Sequence, residues 1–172
     1  MMDIRTLKKR VKVLLLLFIT GLLLSGITAI PLEWELTVLN RLVNSSWSPL
    51  PALWPDLVAW IGRVHTGLQD AYGQYPFIAY GTDWLAFAHI VIAVAFWGPL
   101  KDPVRNLWVV EFGMIACVLV VPMALIFGPI RGIPLIWQLI DCSFGVFGII
   151  PLWVCRNTIL QIAQLEQTAC LS

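Results

Sequence analysis

Charge is what this sequence has least of. Of its 172 residues, 12% are Asp, Glu, Lys or Arg, while 59% are hydrophobic; soluble domains carry about 25% charged residues. A soluble fold of this size has too little polar cover for so much apolar surface. The net charge is +1, so bulk charge implies neither nucleic acid nor an acidic partner. Histidine is limited to His65 and His89, and cysteine to Cys117, Cys142, Cys155 and Cys170. No CxxC and no Cys/His metal spacing occurs, and no cysteine lies in the segment 31–82, so no disulfide framework is suggested there. CxxCH, P-loop, GxSxG, HExxH and dinucleotide-binding patterns are missing as well. One histidine on an amphipathic stretch and one in an apolar run make a weak haem pair. The expectation is no metal and no cofactor.

What the chain does have is long apolar runs. A bilayer core of about 30 Å takes about 20 apolar residues in a helix. Four stretches meet that need: 13–30, 84–100, 107–127 and 135–154. In lipid every backbone N–H and C=O must be paired internally, which selects helices. The predicted fold is therefore all-α: an integral membrane four-helix bundle forming one domain over 1–172. The lipid bilayer is its first partner. Spans one and two are separated by an external amphipathic helical segment, 31–82, and a cytoplasmic tail, 155–172, follows span four.

Lysine and arginine orient the chain. Arg5, Lys8, Lys9, Arg10, Lys12, Lys101, Arg105 and Arg156 fall on one side of the threading, against Arg41, Arg63 and Arg131 on the other. The positive-inside rule then predicts a multi-pass plasma-membrane protein with both termini cytoplasmic. Trp84 and Trp137 mark outer span ends, and Trp97, Trp108 and Trp153 mark inner ones. The basic start followed by LLSGITAIP also has the layout of a secretory signal ending near Ala29. Its apolar run exceeds the usual ~7–15 residues, so a retained anchor is the expectation. Gly21, Ser25 and Ala29 form a small-residue ridge on that anchor, a face for a membrane-protein partner.

In the external segment, Leu32, Leu36, Leu39 and Val43 recur at helical spacing, as do Leu57, Ile61, Val64 and Leu68. A proline-broken loop, SWSPLPALWPD, divides them. Trp47, Trp54 and Trp60 suit a position on the headgroups. The segment reads either as a cap over the outer mouth of the bundle or as an interfacial connector. The tail could extend span four as a short amphipathic helix, whose face of Ile159, Ile162 and Leu165 could dock on the inner membrane surface or on a partner. Pro122 and the Gly98-Pro99 and Gly128-Pro129 steps are expected to kink or end helices.

The few ionisable groups inside the spans need a reason. Asp141 lies about six residues into span four, roughly 9 Å deep at 1.5 Å per residue, and His89 lies at a similar depth in span two. His89 shares a face with Thr82, Ala86 and Ala93; Asp141 shares one with Gly145 and Gly148. A charged residue at mid-span costs about 2.5–3.5 kcal/mol on insertion scales. The expectation is an outer-leaflet polar cluster of Asp83, His89, Arg131 and Asp141, able to bind a ligand, an ion or a proton or to fix helix pairing. Glu111, near the inner end of span three, is expected to snorkel or to pair with Lys101, Arg105 or Arg156.

No nucleophile–base pair or metal set can be read from these groups, so an enzyme is not the favoured class. The favoured reading is a non-enzymatic assembly, scaffold or regulatory membrane subunit. The alternative is a small transporter or sensor that uses the outer cluster.

Overall fold

The computed structural model describes residues 3–171, with side chains through Ala169; Met1, Met2, Ser172 and the Cys170 side chain lie outside the described residues. The helices are α1 (Ile4–Thr28), α2 (Leu32–Val43), α3 (Leu50–Leu53), α4 (Pro55–Gln74), α5 (Tyr80–Ala95), α6 (Trp97–Lys101), α7 (Leu107–Ile130) and α8 (Leu135–Leu171). A 3-10 turn over Pro76–Ala79 leads into α5. The fold is all-α, and four of its helical stretches are long and apolar enough to cross a membrane: Ile4–Thr28, Pro76–Lys101, Leu107–Ile130 and Leu135–Ala169.

Two of those helices run well past the apolar stretches. Helix α1 is helical from Ile4, because lysine, arginine and leucine before residue 13 are good helix formers. Helix α8 has 37 residues, about 55 Å of helix, against a hydrocarbon core of about 30 Å. The tail is thus a continuation of span four, and its apolar face docks on α1. Leu152, Cys155, Ile159 and Ile162 follow the three-four-three spacing of a coiled-coil seam. They pack with Leu7, Val11 and Leu15 of α1 in one buried cluster that also takes in Phe96, Val109 and Val110. Lys8 Nζ meets Glu166 Oε1 at 2.7 Å across the end of this antiparallel pair.

Helix α7 lies closest to α8, and glycine makes that approach possible. A Cβ added at Gly148 would stand 2.9 Å from Cys117 Sγ, and one at Gly145 would run into the Cys117 carbonyl oxygen. A Cβ at Gly113 would stand 2.7 Å from Phe96 and 2.9 Å from Leu152. Lipid supplies no hydrophobic drive between helices, so close backbone packing of this kind is what holds them. The α7–α8 turn is a Schellman motif: Ile133 N–H donates to Gly128 O at 2.9 Å and Gly132 N–H to Pro129 O at 3.1 Å. Gly132 sits at φ +66°, the left-handed conformation that glycine supplies without strain.

The prolines act unequally. Pro99 lacks the N–H that would bond the Ala95 carbonyl, and the span breaks at Phe96 between α5 and α6. Pro122 and Pro129 stay within α7, and Pro151 stays within α8. Neighbouring helices tolerate the freed carbonyls in a membrane bundle.

Between α1 and α5, α2 packs on α4. Val43, Leu57 and Ile61 form a small buried cluster with Leu39, Leu50 and Val58, and this cluster rests on Ile136 and Trp137 of α8. The segment is therefore seated on the start of α8. Trp47 and Trp54 are exposed, whereas the Trp60 ring nitrogen is buried and has no hydrogen-bond partner among the described residues.

Candidate functional site

The polar residues of the outer half sit on α5, α7 and α8. Asp83 is exposed in the first turn of α5, where the positive end of the helix dipole favours a carboxylate. Together with Tyr80, Trp84 and Phe87 it lines an open groove of about 230 Å³. His89 lies two turns further along the same helix. Its Nδ1 donates to the Leu85 carbonyl oxygen at 2.8 Å, a bond within its own helix. The ring stem packs on α1: a Cβ added at Gly26 would stand 2.8 Å from His89 Cβ. Ala86 and Ala93, on the same face, are buried.

The expected face of span two is thus real, but the helix it meets is α1. Helix α8 packs on α7 and on α1 in turn. Among the described residues no hydrogen bond or ion pair joins His89 to Asp141, nor either of them to Asp83 or Arg131. Arg131 is the exposed C-cap of α7, and its backbone N–H donates to Phe127 O at 3.0 Å.

Asp141 is partly exposed on α8. Its carboxylate has no hydrogen-bond or ion-pair partner among the described residues. One turn above it, Gln138 is buried at 5% exposure and donates from Nε2 to Ile133 O at 2.7 Å. That amide fills the space left by Gly128 and ties α8 to the turn that precedes it. The sequence shows Gln138 beside Asp141 but gives no sign that it closes the α7–α8 turn.

Of the partners expected for Glu111, Arg156 is the one in contact with it. Arg156 Nε donates to Glu111 Oε1 at 2.8 Å, joining α7 to α8. The loop between α6 and α7 is held by Asn106, whose Nδ2 donates to Asp102 O at 2.9 Å and to Gly98 O at 3.3 Å. Nearby, a cavity of about 270 Å³ is lined by Lys8, Lys9, Lys12 and Lys101 over Val11, Pro99, Leu100 and Pro103. In the sequence these lysines bear on the threading of the chain, and Lys101 also on Glu111, but not on a shared cavity. Their grouping was signalled by Lys8 and Lys12 one turn apart on α1, and by Lys101 at the end of the next span.

Outside the spans, Thr37 Oγ1 and His65 Nε2 lie 3.0 Å apart and join α2 to α4. Among the described residues no three His, Cys, Asp or Glu side chains cluster in a way that could hold a metal ion. The chain has no significant match among protein-family models, curated protein sequences or solved structures.

Proposed function

We propose that this protein is a non-enzymatic assembly, scaffold or regulatory subunit of a plasma-membrane complex, with both chain ends in the cytoplasm. The observation that carries the reading is Asp141. A carboxylate inside a span costs about 2.5–3.5 kcal/mol on insertion scales, and nothing in the described chain offsets that cost by a direct bond. A donor on a partner's helix, set against α8, offsets it.

Helix α1 supports the same reading. Its inward glycine is Gly26, pressed on α5, whereas a Cβ at Gly21 would meet nothing within 4 Å. Gly21, Ser25 and Ala29 stay wholly or partly exposed, leaving a small-residue face on which a second helix can approach closely. The excess of lysine and arginine at the end holding the N-terminus supports the cytoplasmic placement.

A second reading rests on the outer groove. Asp83 among Tyr80, Trp84 and Phe87 combines a carboxylate with aromatic faces, a chemistry that attracts cations. It favours a small transporter or sensor.

Variants of Asp141, His89 and Asp83 separate the two. If the protein is an assembly subunit, Asp141→Asn lowers partner recovery or abundance severalfold, and His89→Ala, by loosening α5 from α1, lowers abundance. Neither of these, nor Asp83→Asn, then changes a transport rate. Normal levels and recovery in the first two, with loss of a pH- or ligand-dependent response in Asp83→Asn, would replace this reading with the transporter one.

A further inference from the structure

The inner cavity brings four lysines from two segments to one place. Lys8, Lys9 and Lys12 come from α1, and Lys101 ends α6. Among the described residues, one carboxylate answers them directly: Glu166, at 2.7 Å from Lys8. The nearest acid in sequence to Lys101 is Asp102, and its Oδ1 accepts the Arg105 N–H at 3.1 Å. Among the described residues, Lys9, Lys12 and Lys101 have no ion-pair partner. Converging ammonium groups repel one another, and an anion between them turns repulsion into attraction.

The depth of the cavity says which anion. Lys12 immediately precedes the uncharged run 13–30, and Lys101 closes the span that begins at Pro76. Lys101 Nζ lies 5.9 Å from the centre of the Trp97 ring, and that ring is exposed at the end of its span, the level of lipid headgroups. The floor is apolar, made by Val11, Pro99 and Leu100. A cationic rim over an apolar floor at headgroup depth matches a molecule with a phosphate above and hydrocarbon below. Basic pockets between transmembrane helices bind such headgroups.

We infer that Lys9, Lys12 and Lys101, with Lys8 at the rim, form a binding site for the phosphate of an anionic phospholipid. The inference is independent of the assembly reading, because it uses the opposite end of the bundle from Asp141. Each lysine near a membrane surface changes affinity for anionic lipid by about fivefold. Glu166 holds Lys8 toward α8, so the other three carry most of the effect.

The test uses the purified full chain in nanodiscs of phosphatidylcholine with a minor fraction of phosphatidylglycerol. Lipid retained after detergent extraction is counted by native mass spectrometry. The wild type is expected to retain phosphatidylglycerol, and the Lys9→Gln/Lys12→Gln/Lys101→Gln variant to lose it by at least tenfold. The corresponding Lys→Arg variant and an Arg41→Gln/Arg63→Gln control, whose charges lie away from the cavity, are expected to retain it. Retention by the triple Gln variant, or equal loss from the Arg41/Arg63 variant, overturns the site. A second readout needs no substitution. Amine-reactive labelling of Lys9, Lys12 and Lys101 in the wild type is expected to slow with phosphatidylglycerol and not with inorganic phosphate in pure phosphatidylcholine. Equal protection by phosphate assigns the cavity to a soluble anion and overturns the lipid; protection by neither overturns both.

Discussion

Glu111 of α7 and Arg156 of α8 meet at 2.8 Å and join the two helices. Both side chains are about one-third to two-fifths exposed, so solvent and headgroups screen the pair. Its contribution is expected to stay in the range of about 0.2–1 kcal/mol that exposed pairs show. Glu111→Gln should lower the thermal midpoint in detergent by a small amount, and Arg156→Glu by more, because it places two carboxylates together. The exchanged double variant, Glu111→Arg with Arg156→Glu, should recover part of the loss. A double-mutant cycle with no coupling would remove the pair from the account of how α7 and α8 are registered.

The glycine seam makes a sharper prediction. Cys117 of α7 leaves no room for a side chain at Gly145 or Gly148, and Phe96 and Leu152 leave none at Gly113. Gly145→Val and Gly113→Val should each cost about 1–3 kcal/mol, as overpacking does elsewhere. Gly21→Ala should not destabilise the isolated protein and should raise its stability by up to about 1 kcal/mol, since open space surrounds that position and alanine is the better helix former. Thermal unfolding of the three variants in one detergent checks the contrast. A Gly145→Val protein as stable as wild type would mean that α7 and α8 stand further apart than described.

Much of this bundle was legible in the sequence, and what was missed has a common cause. Hydropathy located the spans because lipid demands apolar runs of a set length. It does not set the helical ends of α1 and α8, because a helix continues wherever propensity and packing allow, whether or not lipid surrounds it. The face carrying Ala86, His89 and Ala93 was also readable, since small residues mark close contacts. The identity of the facing helix was not. All four spans are apolar all round, so periodicity gives no signal for which neighbour a face meets. The sequence therefore suggested His89 against Asp141, while packing sets His89 against Gly26. Charge counting likewise oriented the chain without showing that Lys8, Lys9, Lys12 and Lys101 share one cavity.

The pairing of α1 with the tail bears on whether α1 is kept. Leu7, Val11 and Leu15 are at most 2% exposed and lie in one cluster with Ile159 and Ile162, which are fully buried. Removing α1 near Ala29 would uncover that seam. The intact mass of the purified protein is expected to include the residues before Ala29. A zero-length carbodiimide cross-link is expected between Lys8 and Glu166, lost in Lys8→Gln. A mature chain starting after Ala29 would show that the cluster does not form in the cell.

The external segment gives the last prediction. Its α2–α4 pair is small, and a helix pair of that size holds its shape in water only with further burial. That burial comes from Ile136 and Trp137 at the start of α8, against which Val43, Leu57 and Ile61 are packed. The bond between Thr37 and His65 at 3.0 Å holds α2 to α4 but not the pair to the bundle. Trp137→Ala should therefore release the segment as a unit. Amide exchange should rise across 32–74 while α7 and the inner half of α8 keep their protection. Thr37→Val should loosen α2 against α4 and leave the seating on α8 intact, a smaller effect of about 0.5–1.5 kcal/mol for one hydrogen bond. If Trp137→Ala leaves exchange over 32–74 unchanged, the segment is held by the headgroups and not by α8. Trp47 and Trp54, both exposed on it, then become the residues to substitute.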